Sequence, residues 1–227
     1  QHFFRRIHHG AYRFGFGHGS FAAIFQIFGF GRVGLGLGTG LLLGGALPGC
    51  GGVPLKALPR LMQMPNQLLG ANPDEFRVAL QVDARLAQPA GAAPLLVVQL
   101  RPKDPAAFAA IDQKLPMQLT VTSAAAQGLD APPNGRRWLI YSLPPASQAE
   151  LRRVQSLVLE AKARPGYQGG GTLGLGVEQD ALAKAITDPT LARTRWETWV
   201  QVSRADGFLE VWSGTPEEIQ KLAAAKH

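Results

Sequence analysis

The chain has 227 residues, a formal net charge of +7 from 23 basic and 16 acidic residues, and a single cysteine, Cys50. Only four basic residues and no acidic ones precede Cys50, so the remainder is nearly balanced and gives no signal for a nucleic-acid partner. After Cys50 the only histidine is His227, which excludes a Ser-His-Asp triad, a Cys-His pair and a His-built metal site in a domain there; no cofactor or metal is expected.

Residues 1–49 differ sharply from the rest. They hold eight of the eleven Phe and four of the five His, and no carboxylate occurs before Asp74. The chain opens on Gln1 and its first Met is Met62, which fits a fragment or a reading frame extended upstream of the true start. Residues 1–21 show no helical or strand period. Gly29, Gly31 and Gly34 form a G-x-G-x-x-G, and "GFGRVG" resembles the phosphate-binding turn of glyceraldehyde phosphate dehydrogenases. That turn needs a following helix and an acid some 20 residues on. Here "LGLGTGLLLGG" follows, and glycine is poor helix material. "GGGTLG" at 169–174 repeats the pattern without a preceding strand.

A membrane span is interrupted by Arg32, in the middle of the apolar run from Phe21 to Leu47. A sorting signal fits better. Arg32 supplies a basic n-region, 33–47 an apolar core, and Leu47-Pro48-Gly49-Cys50 the end. This last stretch resembles the lipobox of bacterial lipoproteins. The resemblance implies cleavage before Cys50 and diacylation of its thiol with chains such as palmitate. It implies a bacterial envelope protein held in the membrane by lipid. Pro48 departs from the usual Ala, Ser or Thr. Gly51, not being Asp, favours the outer membrane facing the periplasm. Two or three acyl chains anchor stably, at about 0.8 kcal/mol per buried methylene.

Residues 50–72 are expected to be the lipidated cysteine and a tether with at most a helical turn or two before Gly70, since Pro54, Pro59 and Pro65 oppose a long regular helix. Residues 73–227 are expected to form a single α+β periplasmic domain, mainly an antiparallel sheet of about six or seven strands with two to four short helices. Period-two alternation predicts strands over 76–86, 94–102, 117–123, 136–143 and 172–178, then a hairpin from 195–203 and 207–214 turning at Asp206-Gly207. Asp104-Pro105 predicts a short helix to Gln113. Ser147 with Glu150, and Thr215 with Glu218, read as capping boxes. A weaker helix is expected over 180–186.

For chemistry, Glu197 and Glu210 sit on the two strands of the hairpin. Paired carboxylates run glycoside hydrolysis. Cross-strand pairing with Arg195 and Arg204 accounts for them as well. Trp196 and Trp199 have opposite strand parity, so they cannot both face one core. Trp196, Trp199 and Trp212, with Arg136 and Arg137, are the candidate binding surface, because exposed aromatics on a sheet stack on sugars or protein partners. The expected function is a membrane-anchored, non-catalytic binding or assembly module with an envelope protein or glycan partner. The alternatives are a carboxylate-based envelope hydrolase acting on glycans and a lipid-binding periplasmic carrier.

Overall fold

The computed structural model describes residues 25–28, 57–86, 93–167, 170–179, 182 and 188–218. Leu47, Pro48, Gly49 and Cys50 lie outside them, as do the expected helix over 180–186 apart from Leu182 and the C-terminal helix beyond Glu218.

The elements are β1 (Phe25–Phe28), α1 (Leu58–Gly70), β2 (Arg77–Asp83), β3 (Leu95–Pro102), β4 (Ile111–Pro116), β5 (Gln118–Thr122), β6 (Arg136–Ser142), α2 (Pro145–Ala163), β7 (Gly171–Glu178), β8 (Trp196–Gln201) and β9 (Leu209–Gly214). The class is α+β, and the strands divide between two antiparallel sheets. The larger has five strands in the order β5-β6-β2-β8-β9. The smaller is β7-β3-β4, with β1 along the other side of β7. Strands β4 and β5 follow one another with only Met117 between them, so one extended run belongs to both sheets. Met117 is buried, and its N–H donates to Pro94 O at 2.7 Å.

Among the described residues, the larger apolar core lies between the two sheets and the helices. Val78, Leu80 and Val82 of β2 face Leu96, Val98 and Leu100 of β3 and Leu173, Leu175 and Val177 of β7. Met64 and Leu68 of α1, and Leu151, Val154 and Val158 of α2, close the remaining side. Their i, i+4 and i, i+3 spacing puts them on one stripe of each helix. On α2 that stripe leaves out Leu157, which is 41% exposed.

Three expectations are corrected. Part of the expected tether is α1, which belongs to the core. Pro59 falls in the first turn, where an N–H is dispensable, and the burial of Met64, Leu68 and Leu69 offsets the bond lost at Pro65. The expected helix over 104–113 is a single turn. Asp104 Oδ1 does accept the Ala106 N–H at 3.0 Å, but residues 111–116 extend to pair with β3, and the ladder overrides local helix propensity. In α2, Pro144 and Pro145 start the helix ahead of Ser147, and the Ser147 hydroxyl donates to Pro116 O at 2.7 Å. The Thr215 box forms as expected. Thr215 N donates to Glu218 Oε2 at 2.7 Å and Glu218 N to Thr215 Oγ1 at 3.3 Å.

A buried polar link ties the sheets together. The Tyr141 hydroxyl donates to Gln179 Oε1 at 2.7 Å, and Tyr141 has no solvent exposure. Burial pushes its phenol well above the ordinary tyrosine value of 10.0. The raised folded value keeps stability intact below the unfolded pKa and removes it as pH rises past it. Above pH 10 the unfolded state alone loses this proton, so stability falls by about 1.4 kcal/mol per pH unit from this group. In urea titrations between pH 8 and 11.5, Tyr141→Phe is expected to flatten that alkaline slope. It should also lose about 1–3 kcal/mol at pH 8 by stranding Gln179 Oε1. An unchanged slope rules this assignment out.

Candidate functional site: the outer face of the five-stranded sheet

Strand parity gives the five-stranded sheet two faces. Val78, Leu80 and Val82 of β2 point inward, so Arg77, Ala79, Gln81 and Asp83 point outward. Register carries this across the sheet. Trp138 and Glu197 flank Gln81, Ile140 and Trp199 flank Ala79, and Arg136 sits beside Asp83.

Small Ala79 lets two indoles meet over it. Trp138 and Trp199 make an edge-to-face contact with ring centroids 6.3 Å apart and planes at 85°. The segment between β5 and β6 lies over Trp138. Leu129 and Ala126 bridge to each other there, and the Trp138 indole N–H donates to Asp130 O at 2.9 Å. Phe208, from the β8–β9 connection, packs on the same cluster. Gly128 is needed under it. Its φ is +81°, and a Cβ there would stand 3.3 Å from the Phe208 ring. Trp138 is therefore buried, while Trp199 is only half-buried. The Trp199 Nε1 is shielded from solvent and has no hydrogen-bond partner.

Charges of both signs border the aromatics. Asp83 is clasped by Arg85, with Nε to Oδ1 at 2.9 Å and Nη2 to Oδ2 at 2.8 Å, and these bonds hold its carboxyl below the usual carboxylate range. The Arg136 Nη2 donates to Gln81 O at 2.8 Å, and its Nε has no partner. Burial, with Arg195 nearby, lowers the Arg136 pKa, so this cation is partly desolvated. Arg195 reaches Glu197 Oε1 at 3.3 Å and Ser213 Oγ at 2.8 Å.

Of the five residues expected to form the binding surface, the outer face brings together Trp199 and Arg136. Trp196 and Trp212 point inward, 2% and 3% exposed, within the core. Trp196 donates to Thr194 Oγ1 at 3.2 Å, and the Trp212 Nε1 has no partner. Arg137 shares the parity of Leu139 and Tyr141, with Nε and Nη2 shielded and unpartnered. Burial corrects Trp196 and Trp212 as surface candidates, while the half-buried Arg137 lies on the opposite face from Arg136, because alternation along a strand sends neighbours to opposite faces. Trp138, Phe208, Gln81 and Arg195 complete the outer face. Shared parity with Arg136 was the signal for Trp138. Phe208 comes from a connecting segment and had none.

Glu197 and Glu210 do not stand opposite one another. Glu197 pairs across the ladder with Ser213, and Glu210 with Trp199. Glu197 forms its ion pair with Arg195 on its own strand, while Arg204 donates its backbone N–H to Glu75 Oε2 at 2.8 Å. Between the sheets, Phe76, Leu80, Leu96, Leu175, Val177 and Val200 enclose an apolar cavity of about 30 Å³. That is room for about two waters. Cavities that hold drug-sized ligands start near about 300 Å³. Among the described residues, no three His, Cys, Asp or Glu side chains group as metal ligands, and no helix is long and apolar enough to cross a membrane. Comparisons with protein-family models, with curated proteins and with solved structures find no match for this chain.

Proposed function

We propose that this chain is a lipid-anchored envelope protein whose α+β domain binds a protein or glycan partner through the outer face of its larger sheet, without catalysis. One observation carries the proposal. The half-buried Trp199, with an unsatisfied indole N–H, packs edge-to-face on Trp138, on the outer face that also carries the partly desolvated Arg136 and the Arg195–Glu197 pair. An aromatic platform bordered by donors and acceptors recognises amphipathic partners, and tryptophan and arginine dominate such contacts. The anchor rests on the Leu47–Cys50 motif, and cleavage before Cys50 removes β1 from the smaller sheet.

Both halves are open to test. Intact mass of the protein from bacterial membranes is expected to show a species beginning at Cys50 with added acyl mass, absent in Cys50→Ser; an unmodified chain that keeps its leader overturns the anchor. For the surface, a photo-crosslinking residue at position 199 is compared with one at the exposed position 159 on α2, and pelleting with purified cell-wall sacculi is measured alongside. Position 199 is expected to give an adduct, or the protein to pellet, and Trp199→Ala to weaken that binding about 30-fold, as for a central aromatic contact. No adduct at 199 and no Trp199-dependent pelleting removes this face from consideration.

A further inference from the structure

We infer that β5 is a self-pairing edge, through which two copies of this chain join antiparallel into one continuous sheet. Of the four terminal strands, β4 and β9 are guarded, while β5 and β1 carry neither charge nor proline, and β5 ends the larger sheet. Among the described residues, strand β5 ends the larger sheet and pairs only with β6. Terminal strands are normally guarded by charge, proline or a bulge. Strand β4, at the end of the smaller sheet, carries Asp112, Lys114 and Pro116. Strand β9 carries Glu210, and its ladder shifts register between Thr198 and Trp199. Strand β5 reads Gln118-Leu119-Thr120-Val121-Thr122, with no charge, no proline and no shift. Gln118 and Thr120 are exposed. Leu119 and Val121 pack on the core yet remain partly open to solvent.

The pattern selects a second copy as the occupant. A two-fold axis at Thr120 sets Thr120 against itself, Leu119 against Val121 and Gln118 against Thr122. Directly opposed residues of an antiparallel pair share a face, so apolar meets apolar on the core side and polar meets polar outside. The contact is isologous, as most homodimer contacts are. The axis stands perpendicular to the sheet, so both outer faces lie on the same side. Five-residue strands give a small interface, so dimerisation is expected to depend on concentration.

Sedimentation equilibrium of the full chain in detergent, over a concentration series, tests this. The wild type is expected to approach twice the chain mass. Thr120→Lys, which sets two ammonium groups at the axis, is expected to weaken the dimer at least ten-fold with an unchanged near-ultraviolet CD spectrum. Opposed Cα atoms in such a pair lie about 4.5–5.5 Å apart, within disulfide reach. Mild oxidation should therefore cross-link Cys50→Ser/Thr120→Cys and leave Cys50→Ser/Leu159→Cys uncoupled, a readout that holds even if the Lys variant misfolds. A wild type monomeric up to about 0.1 mM, far above the micromolar range of ordinary complexes, overturns the inference. So does equal cross-linking from both positions. Neither result bears on the lipid anchor or on Trp199.

Discussion

Replacing Trp196 by Ala is expected to cost about 3–5 kcal/mol of folding stability, the largest loss of any single substitution considered. Trp196 lies on the inward parity of β8 with 2% of its surface exposed, and the core closes over it. Truncation removes the transfer free energy of the indole and leaves a cavity that two packed sheets cannot collapse to fill. The loss is a large share of the total, because domains of this size are stable by only about 5–15 kcal/mol. Urea unfolding followed by far-ultraviolet CD measures it. The same substitution at Trp199, three residues along on the outward parity, is expected to cost far less and to act on binding. Equal losses at the two positions would contradict the division of the sheet into a core face and an open face.

The second large effect is expected at Gln155. This side chain is buried on α2, and its Nε2 donates to Leu68 O at 2.6 Å and Ala71 O at 3.0 Å. Those carbonyls belong to the C-terminal turn of α1, where the last four C=O groups lack intrahelical partners. No basic residue stands in that turn, so Gln155 acts as a cap supplied by another helix. Gln155→Leu keeps the size and removes both donors. Stranding one buried acceptor and one part-buried acceptor is expected to cost roughly 2–4 kcal/mol. Hydrogen exchange locates the damage. Amides of α1 should lose protection before those of α2. Gln155→Glu turns two attractions into oxygen–oxygen repulsion and is expected to be no better. A Leu variant as stable as wild type would show that water caps α1 instead.

Much of the fold was legible in the residues, for a definite reason. Period-two alternation marks β2, β3, β5, β6, β7, β8 and β9, because each is apolar toward the core. Parity alone separated Trp196 from Trp199. What escaped is what local pattern does not encode. Strand β4 follows an Asp-Pro start that is good helix chemistry, and only pairing with β3 makes it extended. Helix α1 hides behind two prolines, one of which sits harmlessly in its first turn. The split into two sheets depends on the passage at Met117, where nothing in the alternation announces a change of neighbours. In the site, the Arg136-Arg137 doublet reads as one basic patch along the chain, yet strand geometry sends its halves to opposite sides.

The order of strands in the larger sheet has a consequence for synthesis. Strand β2 is the first of the five in the chain and lies at the centre, between β6 and the late strand β8, where Arg77 pairs with Gln201. Until Trp196–Gln201 exists, β2 has one bare flank. A nascent chain or a truncation ending before β8 therefore presents Val78, Leu80 and Val82 along an unpaired edge, the kind that recruits other chains. Closure between segments so distant in sequence is also slow. Completion of the chain, rather than formation of any early hairpin, sets when this protein stops being prone to aggregate.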